Sequence, residues 1–466
     1  MLSYTLSRAS DRPLYDQLYR LLRADIESGA IAEGERLPGR RALAAQLGVS
    51  KITVENAYQQ LTAEGYIHAR SRSGYYVDKV DASIGADEAD PLSPAREFRR
   101  GDGYPVDFVK NSTDPSLFPF SVWARLTRAA LAECGSDLIC PQPFAGSLAL
   151  REALCRLLHR MKGISCTPEQ IFIGTGGEYL SNLLVQFIGR NHICAMETPG
   201  YPLTAQLMRM NDVPLITLPM DEHGVNMEAL RNSGADVLIL SPSHHFPTGI
   251  ATPIGRRQEI LNWAAEGNRI VIENDFDSEF RFTGMPIPSL MSIDRSGSTV
   301  YLNTFSKSIS PSVRVSYMVL PPELARKYNE RMDFYSCTAP VMEQYVLERF
   351  ITLGYYDRHI ARMKRAYRAC RDKVISLIRK SGFASLVTIH EADAGLHFLL
   401  RVDTTVSDAA LKWALRQAGV RISCLSDYHL GGAPCEQHVL VVNYSGVDLA
   451  ALEAALPQIE KALFAR

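Results

Sequence analysis

The sequence predicts a multidomain chain in which a small winged helix-turn-helix precedes a large α/β unit. Three observations support this fold class. Helical periodicity fills the first part of the chain and gives way to two short strand-like runs. A region without periodicity follows. Beyond it, apolar strand-like runs alternate with longer helical patterns, which is typical of a mainly parallel sheet covered by helices.

Length, charge and cysteine content narrow the class of protein. The 466 residues suffice for two or three domains. A net charge of -1 gives no global attraction to nucleic acid, so any DNA contact has to come from a local basic patch. The nine cysteines include no C-x-x-C pair, which favours a reducing compartment over a disulfide framework or a zinc site. The sequence shows no signal peptide and no apolar span of about 20 residues, so a cytoplasmic protein without a metal is expected.

The first segment contains three helical patterns. Apolar residues follow helical spacing through 14–26. A second, shorter pattern ends at Gly48, because glycine suits the left-handed turn that closes a helix. Ser50 can cap a third helix whose buried stripe runs through 54–61. Helix, tight turn and a helix with an exposed start together predict a helix-turn-helix.

Two strand-like runs, at 66–68 and 75–77, follow the third helix and predict a hairpin or wing. The predicted loop between them extends from Arg70 to Gly74. Periodicity alone supports only a small helical domain, since many such domains never contact DNA. Clustered charge favours the DNA-binding interpretation. The basic residues around the turn and the wing are Arg36, Arg40, Arg41, Lys51, Arg70 and Arg72.

Residues 1–78 closely resemble the GntR family of winged helix-turn-helix regulators. The stretches that carry the resemblance are 37–44, 47–54 and 61–67. It implies that the helix beginning at Ser50 enters the major groove of double-stranded operator DNA. The residues expected at the DNA are Arg40, Arg41, Ser50, Lys51, Thr53, Arg70, Arg72 and Gly74.

This segment departs from the family pattern at two positions. The family usually has arginine where this chain has Lys51, and some relatives carry a further DNA-binding arginine where it has Glu55. Lysine is a point charge rather than a two-pronged donor, so we expect weaker discrimination between bases at this position.

Residues 79–106 are predicted to form a linker, because periodicity is lost and prolines and charges of both signs accumulate. In 107–466, apolar runs precede turns rich in glycine or polar residues. A ligand of such a sheet lies beyond the carboxyl ends of its strands, so we expect the turns to converge on one site. The runs are 171–173, 193–196, 237–240, 270–272 and 299–302, and the turns that follow are 174–177, 197–201, 241–249, 273–276 and 304–307.

Lys307 stands in the last of these turns, after Ser306 and ahead of Arg314. An amine flanked by hydroxyl groups and followed by an arginine is the set that a pyridoxal phosphate site needs. The amine forms a Schiff base, while the hydroxyls and the guanidinium hold the phosphate. A lysine beside serines is usually a surface amine, so the order of all five turns is the more specific signal.

The order of the turns resembles the fold-type I aminotransferases from about residue 107 to the C-terminus. With the winged helix added, the chain is similar to the MocR (GabR-like) transcription regulators. The resemblance implies that Lys307 anchors pyridoxal 5'-phosphate, while Tyr201 either stacks on the ring or simply packs in the core. A small domain from about Tyr335, including 394–398, is expected to close the cleft. The phosphate is expected at Gly176, Gly177, Thr304, Ser306 and Arg314.

The family pattern Glu-Asp-Asp-Tyr is replaced here by 273–276, Glu-Asn-Asp-Phe. In the family the first aspartate keeps the pyridine nitrogen protonated, and the tyrosine bonds the ring's phenolic oxygen. Asn274 can hydrogen-bond the ring nitrogen but carries no charge. We therefore expect pyridoxal phosphate binding to be retained and catalysis to be suppressed. Asp275 is the alternative partner, but strand alternation directs it to the opposite face unless a bulge intervenes. Phe276 has no hydroxyl.

The arginines with which GabR-like regulators grip an amino-acid carboxylate are also missing, because this chain has Leu203 and Gly446 there. Arg401 and Arg421 are alternatives, although surface charge explains both. An amino-acid effector like that of GabR is therefore not expected, and pyridoxal phosphate itself becomes the candidate signal.

The sequence thus predicts a DNA-binding transcription regulator with no catalytic residues, controlled by pyridoxal phosphate with or without a further small ligand. A domain-swapped homodimer is expected, and vitamin B6 or amino-acid metabolism are the expected targets. Two alternatives stay open: a working PLP-dependent aminotransferase with an accessory DNA-binding module, and a binding protein that has lost the cofactor.

Overall fold

The computed structural model divides into two compact units, residues 1–100 and 101–466. We call them the N-terminal unit and the C-terminal unit. The residues it describes are 4, 6–7, 12–71, 73–79, 103–110, 113–283, 287–431 and 435–464.

Three helices and a hairpin build the N-terminal unit. They are α1 Leu14–Glu27, α2 Arg40–Leu47, α3 Lys51–Ala63, β1 Ile67–Arg70 and β2 Gly74–Val77. α1 and α2 pack on α3 around buried side chains that include Leu22 and Tyr58. Gly48 ends α2 at φ 64°, a left-handed conformation open to glycine without steric cost. The Ser50 hydroxyl accepts a hydrogen bond from the Thr53 amide at 3.1 Å and so caps α3, as predicted.

The hairpin is longer than the sequence pattern predicts. Arg70 and Gly74, which we assigned to the loop, lie in the strands and pair with each other. The ends of a strand are determined by backbone hydrogen bonds. A strand that ends in polar residues therefore extends beyond the apolar run from which it is predicted. Arg72 lies outside the described residues.

The strands of the C-terminal unit are β3 Val106–Asp107, β4 Ile171–Gly174, β5 Cys194–Thr198, β6 Leu215–Asp221, β7 Gly224–Val225, β8 Val237–Leu240, β9 Ile270–Asp275, β10 Thr299–Thr304, β11 Ser316–Val319, β12 Val387–His390, β13 His397–Val402, β14 Val420–Arg421, β15 Ser423–Cys424 and β16 Val439–Asn443. Its helices are α4 Phe120–Cys134, α5 Leu148–Lys162, α6 Gly177–Ile188, α7 Pro202–Met210, α8 Met227–Asn232, α9 Ile254–Glu266, α10 Leu290–Ile293, α11 Phe305–Ser308, α12 Pro322–Met332, α13 Val341–Thr352, α14 Tyr355–Lys380, α15 Asp408–Gln417 and α16 Leu449–Phe464.

The central sheet has the order β4-β11-β10-β9-β8-β5-β6-β7. β10, β9, β8, β5 and β6 run parallel, whereas β11 pairs antiparallel with β4 and β10. Alternate residues face opposite layers: Ile171 and Ile173 pack against α4, α5 and α13, while Phe172 packs against α6 and α12. The predicted α/β architecture with a mainly parallel sheet is confirmed.

Several strand ends differ from the predicted runs. β5 begins at Cys194 rather than at Ile193, and β9 and β10 extend to Asp275 and Thr304. The additional residues are polar or charged, so they interrupt the apolar runs without interrupting the backbone ladder. Residues 273–275, predicted as a turn, are therefore strand residues. Among the described helices, none is long and apolar enough to span a membrane.

A second, antiparallel sheet forms a smaller subdomain with the order β12-β13-β16-β15. Side chains from α14, α15 and α16 cover it. The pair β3–β14 adds to this subdomain, with Val106 opposite Val420. Val106 is thus a strand residue, although we placed it at the end of the linker, because a two-residue strand has no readable periodicity.

Candidate functional site

Strand register brings two of the predicted turns, 174–177 and 304–307, and the segment ahead of Ser316 to one edge of the central sheet. Thr304 pairs with Ser316, and Ser316 pairs with Gly174. The segments that follow Gly174, precede Ser316 and follow Thr304 therefore emerge side by side. These segments contain Gly176, Gly177, Arg314, Ser306 and Lys307.

Gly176 and Arg314 form a cradle at the start of α6. A Cβ atom at Gly176 would lie 2.4 Å from Nη2 of Arg314, so only glycine lets the guanidinium come this close. Arg314 donates a hydrogen bond to the Thr175 carbonyl at 3.1 Å and lies 3.7 Å from a carboxylate oxygen of Glu178. The amides that begin α6 at Gly177, together with the guanidinium, suit a phosphate group.

Hydroxyl groups stand beside this cradle, at the start of α11. The Thr304 hydroxyl accepts a hydrogen bond from the Ser306 amide at 3.1 Å, and the two side-chain oxygens lie 2.9 Å apart. Two hydroxyls and a guanidinium thus border the same sheet edge, and this geometry fits the predicted phosphate set.

The Lys307 amine has no hydrogen-bond partner among the described residues. Burial lowers the pKa of Lys307 to about 8, although the nearby Asp277 carboxylate favours the charged form. A lysine with this pKa is partly neutral at physiological pH and can attack an aldehyde. Its surroundings do not match an ordinary surface amine.

Asn274 and Asp275 point to opposite faces of the central sheet. The β9–β10 register is regular, with Asn274 opposite Leu302 and Asp275 opposite Asn303, so no bulge redirects Asp275. Asn274 lines a small cavity between the sheet, α6 and α7, together with Ser181. Its amide has no hydrogen-bond partner in the described part of the chain, so it is free to contact a ligand.

Asp275 is instead part of a buried ion pair. Its carboxylate lies 2.8 Å from the Lys162 ammonium and accepts a hydrogen bond from the Tyr301 hydroxyl at 2.7 Å. Burial opposes ionisation, but these partners hold the pKa of Asp275 below its ordinary value. Glu279 lies 3.7 Å from the same ammonium. Sequence reasoning missed Lys162, because a lysine in the last turn of a helix usually faces solvent.

A second buried group joins the central sheet to the smaller subdomain. Nδ1 of His244 lies 2.9 Å from the Asp277 carboxylate, and the ring of His397 lies 4.9 Å from that of His244. Nε2 of His397 donates to the Pro247 carbonyl at 3.0 Å. The possible metal-ligating atoms of the two histidines and Asp277 lie within 4.8 Å of one another. We interpret the group as a hydrogen-bonded bridge, since Asp277 already pairs with His244. The sequence predicts the turn at 241–249 as part of the site, but it does not predict that His244 pairs with Asp277 or lies beside His397.

Aromatic rings surround the outer part of the site. Tyr201 is 41% exposed, and its ring lies 6.0 Å from that of Phe246. Phe246 also lies 5.0 Å from Tyr428 and 6.5 Å from Phe276. The partial exposure of Tyr201 leaves ring surface open to a planar ligand, while its contact with Phe246 fits packing, so both predicted roles of Tyr201 stay predictions.

GabR-like regulators bind a substrate carboxylate through arginines at two positions, and this chain has Leu203 and Gly446 there. The two alternative arginines each pair with a carboxylate in the described structure. Leu203 is 45% exposed. Arg401 pairs with Glu436, and Arg421 lies 3.4 Å from Asp107. Both arginines are about half exposed, as expected for surface charge.

The N-terminal unit presents part of its basic patch on the start of α2 and α3. Arg41 and Lys51 are exposed, and no ion pair joins them to a carboxylate among the described residues. Ile52, next to Lys51, is 68% exposed. Arg40, by contrast, is paired with Glu55, so its charge is partly neutralised.

The wing is stiffened by contacts of its own. The Arg70 guanidinium lies 4.6 Å from the centre of the Tyr76 ring, and its Nε contacts His68 at 3.2 Å. A Cβ at Gly74 would lie 3.2 Å from Nε of Arg36, at a φ of 119° that favours glycine. Glycine at 74 therefore has a structural reason besides any contact with DNA.

Comparisons with known proteins agree with this two-part organisation. Residues 14–77 match the family "Bacterial regulatory proteins, gntR family", and residues 111–459 match "Aminotransferase class I and II". The chain is 34% identical to YdeL of Bacillus subtilis, an uncharacterized HTH-type transcriptional regulator, over 98% of both chains. The chain belongs to the MocR-like regulators of the gntR family.

Two further relatives of this MocR-like chain carry more specific names. It is 31% identical to the probable rhizopine catabolism regulatory protein MocR of Rhizobium meliloti, over 99% of this chain and 96% of that one. It is 29% identical to the pyridoxine biosynthesis regulator PdxR of Corynebacterium glutamicum, over 96% and 95%.

The C-terminal unit has the fold of the aminotransferases. It matches the Pyrococcus horikoshii kynurenine aminotransferase with a TM-score of 0.70 at 21% identity, over 82% of this chain and 97% of that one. The predicted membership and fold class are confirmed. The roles predicted for individual site residues stay predictions.

Proposed function

We propose that this MocR-like regulator binds pyridoxal 5'-phosphate covalently at Lys307, and that occupancy changes how the N-terminal unit binds operator DNA. The observation that carries the proposal is a buried amine, without a hydrogen-bond partner among the described residues, that the strand register brings beside the cradle of Gly176 and Arg314. The uncharged Asn274 is proposed to face the cofactor ring. Control of this kind requires the cofactor to bind one arrangement of the protein better than another.

The residues that would hold the cofactor follow from the site. The Lys307 amine would take the aldehyde carbon, while Arg314 and the start of α6 would take the phosphate. Tyr201 would lie on the ring, and the Asn274 amide would bond the ring nitrogen. When bound, pyridoxal phosphate supplies a reactive aldehyde and a ring that can accept electrons.

We further propose that the chain does not catalyse amino-group transfer. That chemistry depends on a carboxylate that keeps the ring nitrogen protonated. Asn274 has no charge, and Asp275 is directed away and paired with Lys162. The aminotransferase alternative would require that buried pair to break.

At the DNA, we propose that Lys51 and Thr53 contact base edges, while Arg41 and Arg70 contact phosphates. Arg40 is expected to contribute less because Glu55 holds it. The name of PdxR supports vitamin B6 metabolism as a target, and amino-acid metabolism stays the alternative. The nine free cysteines support a cytoplasmic location.

We also propose that the chain is a domain-swapped homodimer. Large apolar side chains of the C-terminal unit are exposed in the single chain: Phe120 is 66% exposed, Leu131 54%, Ile139 87% and Leu148 51%. Exposed apolar side chains of this size support a surface that a second chain covers. Light scattering should give twice the monomer mass, and Ile139→Asp should reduce it.

The test of the main proposal is the visible absorption spectrum of the full chain with pyridoxal phosphate. Wild type should develop a borohydride-sensitive band, Lys307→Ala should not, and the control Lys327→Ala, at an exposed lysine of α12, should behave as wild type. DNA fragments enriched from a random pool are then titrated with and without cofactor. An absorption band without any change in DNA binding would contradict the proposal that the cofactor regulates DNA binding. Amino-group transfer from amino acids would contradict the proposal that the chain is not a catalyst.

A further inference from the structure

Cys155 and Cys166 form a thiol pair on the side of the C-terminal unit that α5 covers. Cys155 lies on α5, and Cys166 lies between α5 and β4. The Cys166 thiol donates to the Cys155 sulfur at 3.8 Å, so the two sulfur atoms are in contact. Both residues are partly exposed at the margin of the core between α5 and β4.

The two sulfur atoms have unequal electrostatic surroundings. Donation from Cys166 and the positive charges of Arg156 and Arg151 lower the pKa of Cys155, against burial and the Glu169 carboxylate. The same hydrogen bond and burial raise the pKa of Cys166. Two sulfur atoms in contact, one with a lowered pKa and the other with a raised pKa, are the arrangement of an oxidisable thiol and its resolving partner.

We propose that Cys155 and Cys166 are a modification site that hydroperoxides convert into a disulfide. The Cys155 thiolate attacks the outer oxygen of the hydroperoxide, the O–O bond breaks, and the departing alkoxide takes a proton. The Cys166 sulfur then attacks the sulfenic acid on Cys155, the S–O bond breaks, and water leaves with the Cys166 proton. Two thiols and one hydroperoxide thus yield one disulfide, one alcohol and one water.

The position of the pair makes this modification relevant to the ligand site. The disulfide would close a loop around Lys162, whose ammonium holds Asp275. Cys166 lies just before β4, and β4 leads to the Gly176 cradle. A disulfide requires the two sulfur atoms to approach from 3.8 Å, so its formation would shift the backbone that leads to Lys162 or to β4.

The experiment treats the full chain with a small excess of hydrogen peroxide and follows it by thiol counting and peptide mass spectrometry. Of nine thiols, wild type should lose two, and the linked peptides should contain Cys155 and Cys166. A dithiol reductant should restore both. Cys140→Ser, at an exposed cysteine, is the matched control and should lose the same two thiols.

Single variants separate the two roles. Cys166→Ser should leave a sulfenic acid on Cys155 that dimedone captures, whereas Cys155→Ser should leave Cys166 unlabelled. Circular dichroism confirms that each variant is folded. Nine intact thiols after treatment, a link between other cysteines, or equal labelling in both variants would each overturn the proposal.

Discussion

The two ends of the candidate cofactor site differ in what they offer a ligand. At the phosphate end, Gly176, Arg314 and the hydroxyls of Thr304 and Ser306 provide every group that the family pattern implies. At the ring end, Asn274 replaces a carboxylate. Under the proposed function the first end binds the phosphate and the second would control electron withdrawal by the ring, so the difference supports the proposal of a site that holds its ligand without activating it.

The largest effect is expected from Lys162→Met, which tests why Asp275 is unavailable to the ring. Removing the ammonium leaves buried carboxylates without a counter-charge, and breaking such a pair costs about 3–5 kcal/mol. The urea midpoint should fall accordingly. Lys327→Met, at an exposed position of α12, should change the free energy of unfolding by less than about 0.5 kcal/mol. Equal stability of both variants would show that the buried ion pair with Lys162 is not what holds Asp275 in place.

Arg314→Ala tests the phosphate end. Loss of a charge-assisted hydrogen bond costs about 1.5–3 kcal/mol, so pyridoxal phosphate should bind roughly 10- to 100-fold more weakly. Spectroscopic titration measures the affinity. Arg326→Ala, an exposed arginine of α12, should leave it unchanged. An Arg314→Ala variant that binds like wild type would show that the cradle is not the phosphate site.

The pH dependence of cofactor attachment tests the Lys307 environment. Only the neutral amine attacks the aldehyde, and burial lowers its pKa to about 8 from the ordinary value near 10.5. The attachment rate should therefore rise about tenfold per pH unit below 8 and level off above it. Stopped-flow absorbance between pH 6 and 10 measures this. A rate that climbs steadily to pH 10 would mean that the amine is not buried when it reacts.

Asn274→Asp tests the ring end. A carboxylate beside the ring nitrogen should raise the nitrogen's pKa by about 1–3 units. Absorbance titration of the loaded protein detects that shift, and Asn274→Ala is the control that lacks both charge and amide. If Asn274→Asp and Asn274→Ala titrate identically, residue 274 does not face the ring.

The smallest expected effect is on DNA binding, at a point where a charged and an apolar side chain lie next to each other. Ile52 is exposed beside Lys51 at the start of α3, and an apolar group there suits the methyl of thymine in the major groove. Replacing thymine by uracil at one operator position should weaken DNA binding by the wild type by about 0.8 kcal/mol, the value of one buried methyl group, and should not change DNA binding by Ile52→Ala. Lys51→Ala should weaken binding to every sequence. If no operator position shows this difference when each thymine is replaced by uracil in turn, Ile52 does not contact a thymine methyl group.

Much of the fold could be predicted because its determinants are local. Helical spacing, the Gly48 turn and the Ser50 cap predict the helix-turn-helix, and the apolar runs predict most parallel strands. Strand pairing then brings the Lys307 turn beside the Gly176 turn, as the rule for carboxyl ends of strands implies.

The remainder depends on partners far apart in sequence. Lys162 meets Asp275 across more than a hundred residues, and Arg40 meets Glu55 across a turn. His244 and His397 come together only when the smaller subdomain folds against the central sheet. Side-chain pairs of this kind leave no periodic signal, so sequence reasoning treats each member as an isolated residue.

The short pair β3–β14 attaches the start of the described C-terminal unit to the smaller subdomain. Val106 pairs with Val420, and Asp107 forms an ion pair with Arg421. A pull on the described chain ahead of Val106 would therefore load the smaller subdomain before the central sheet.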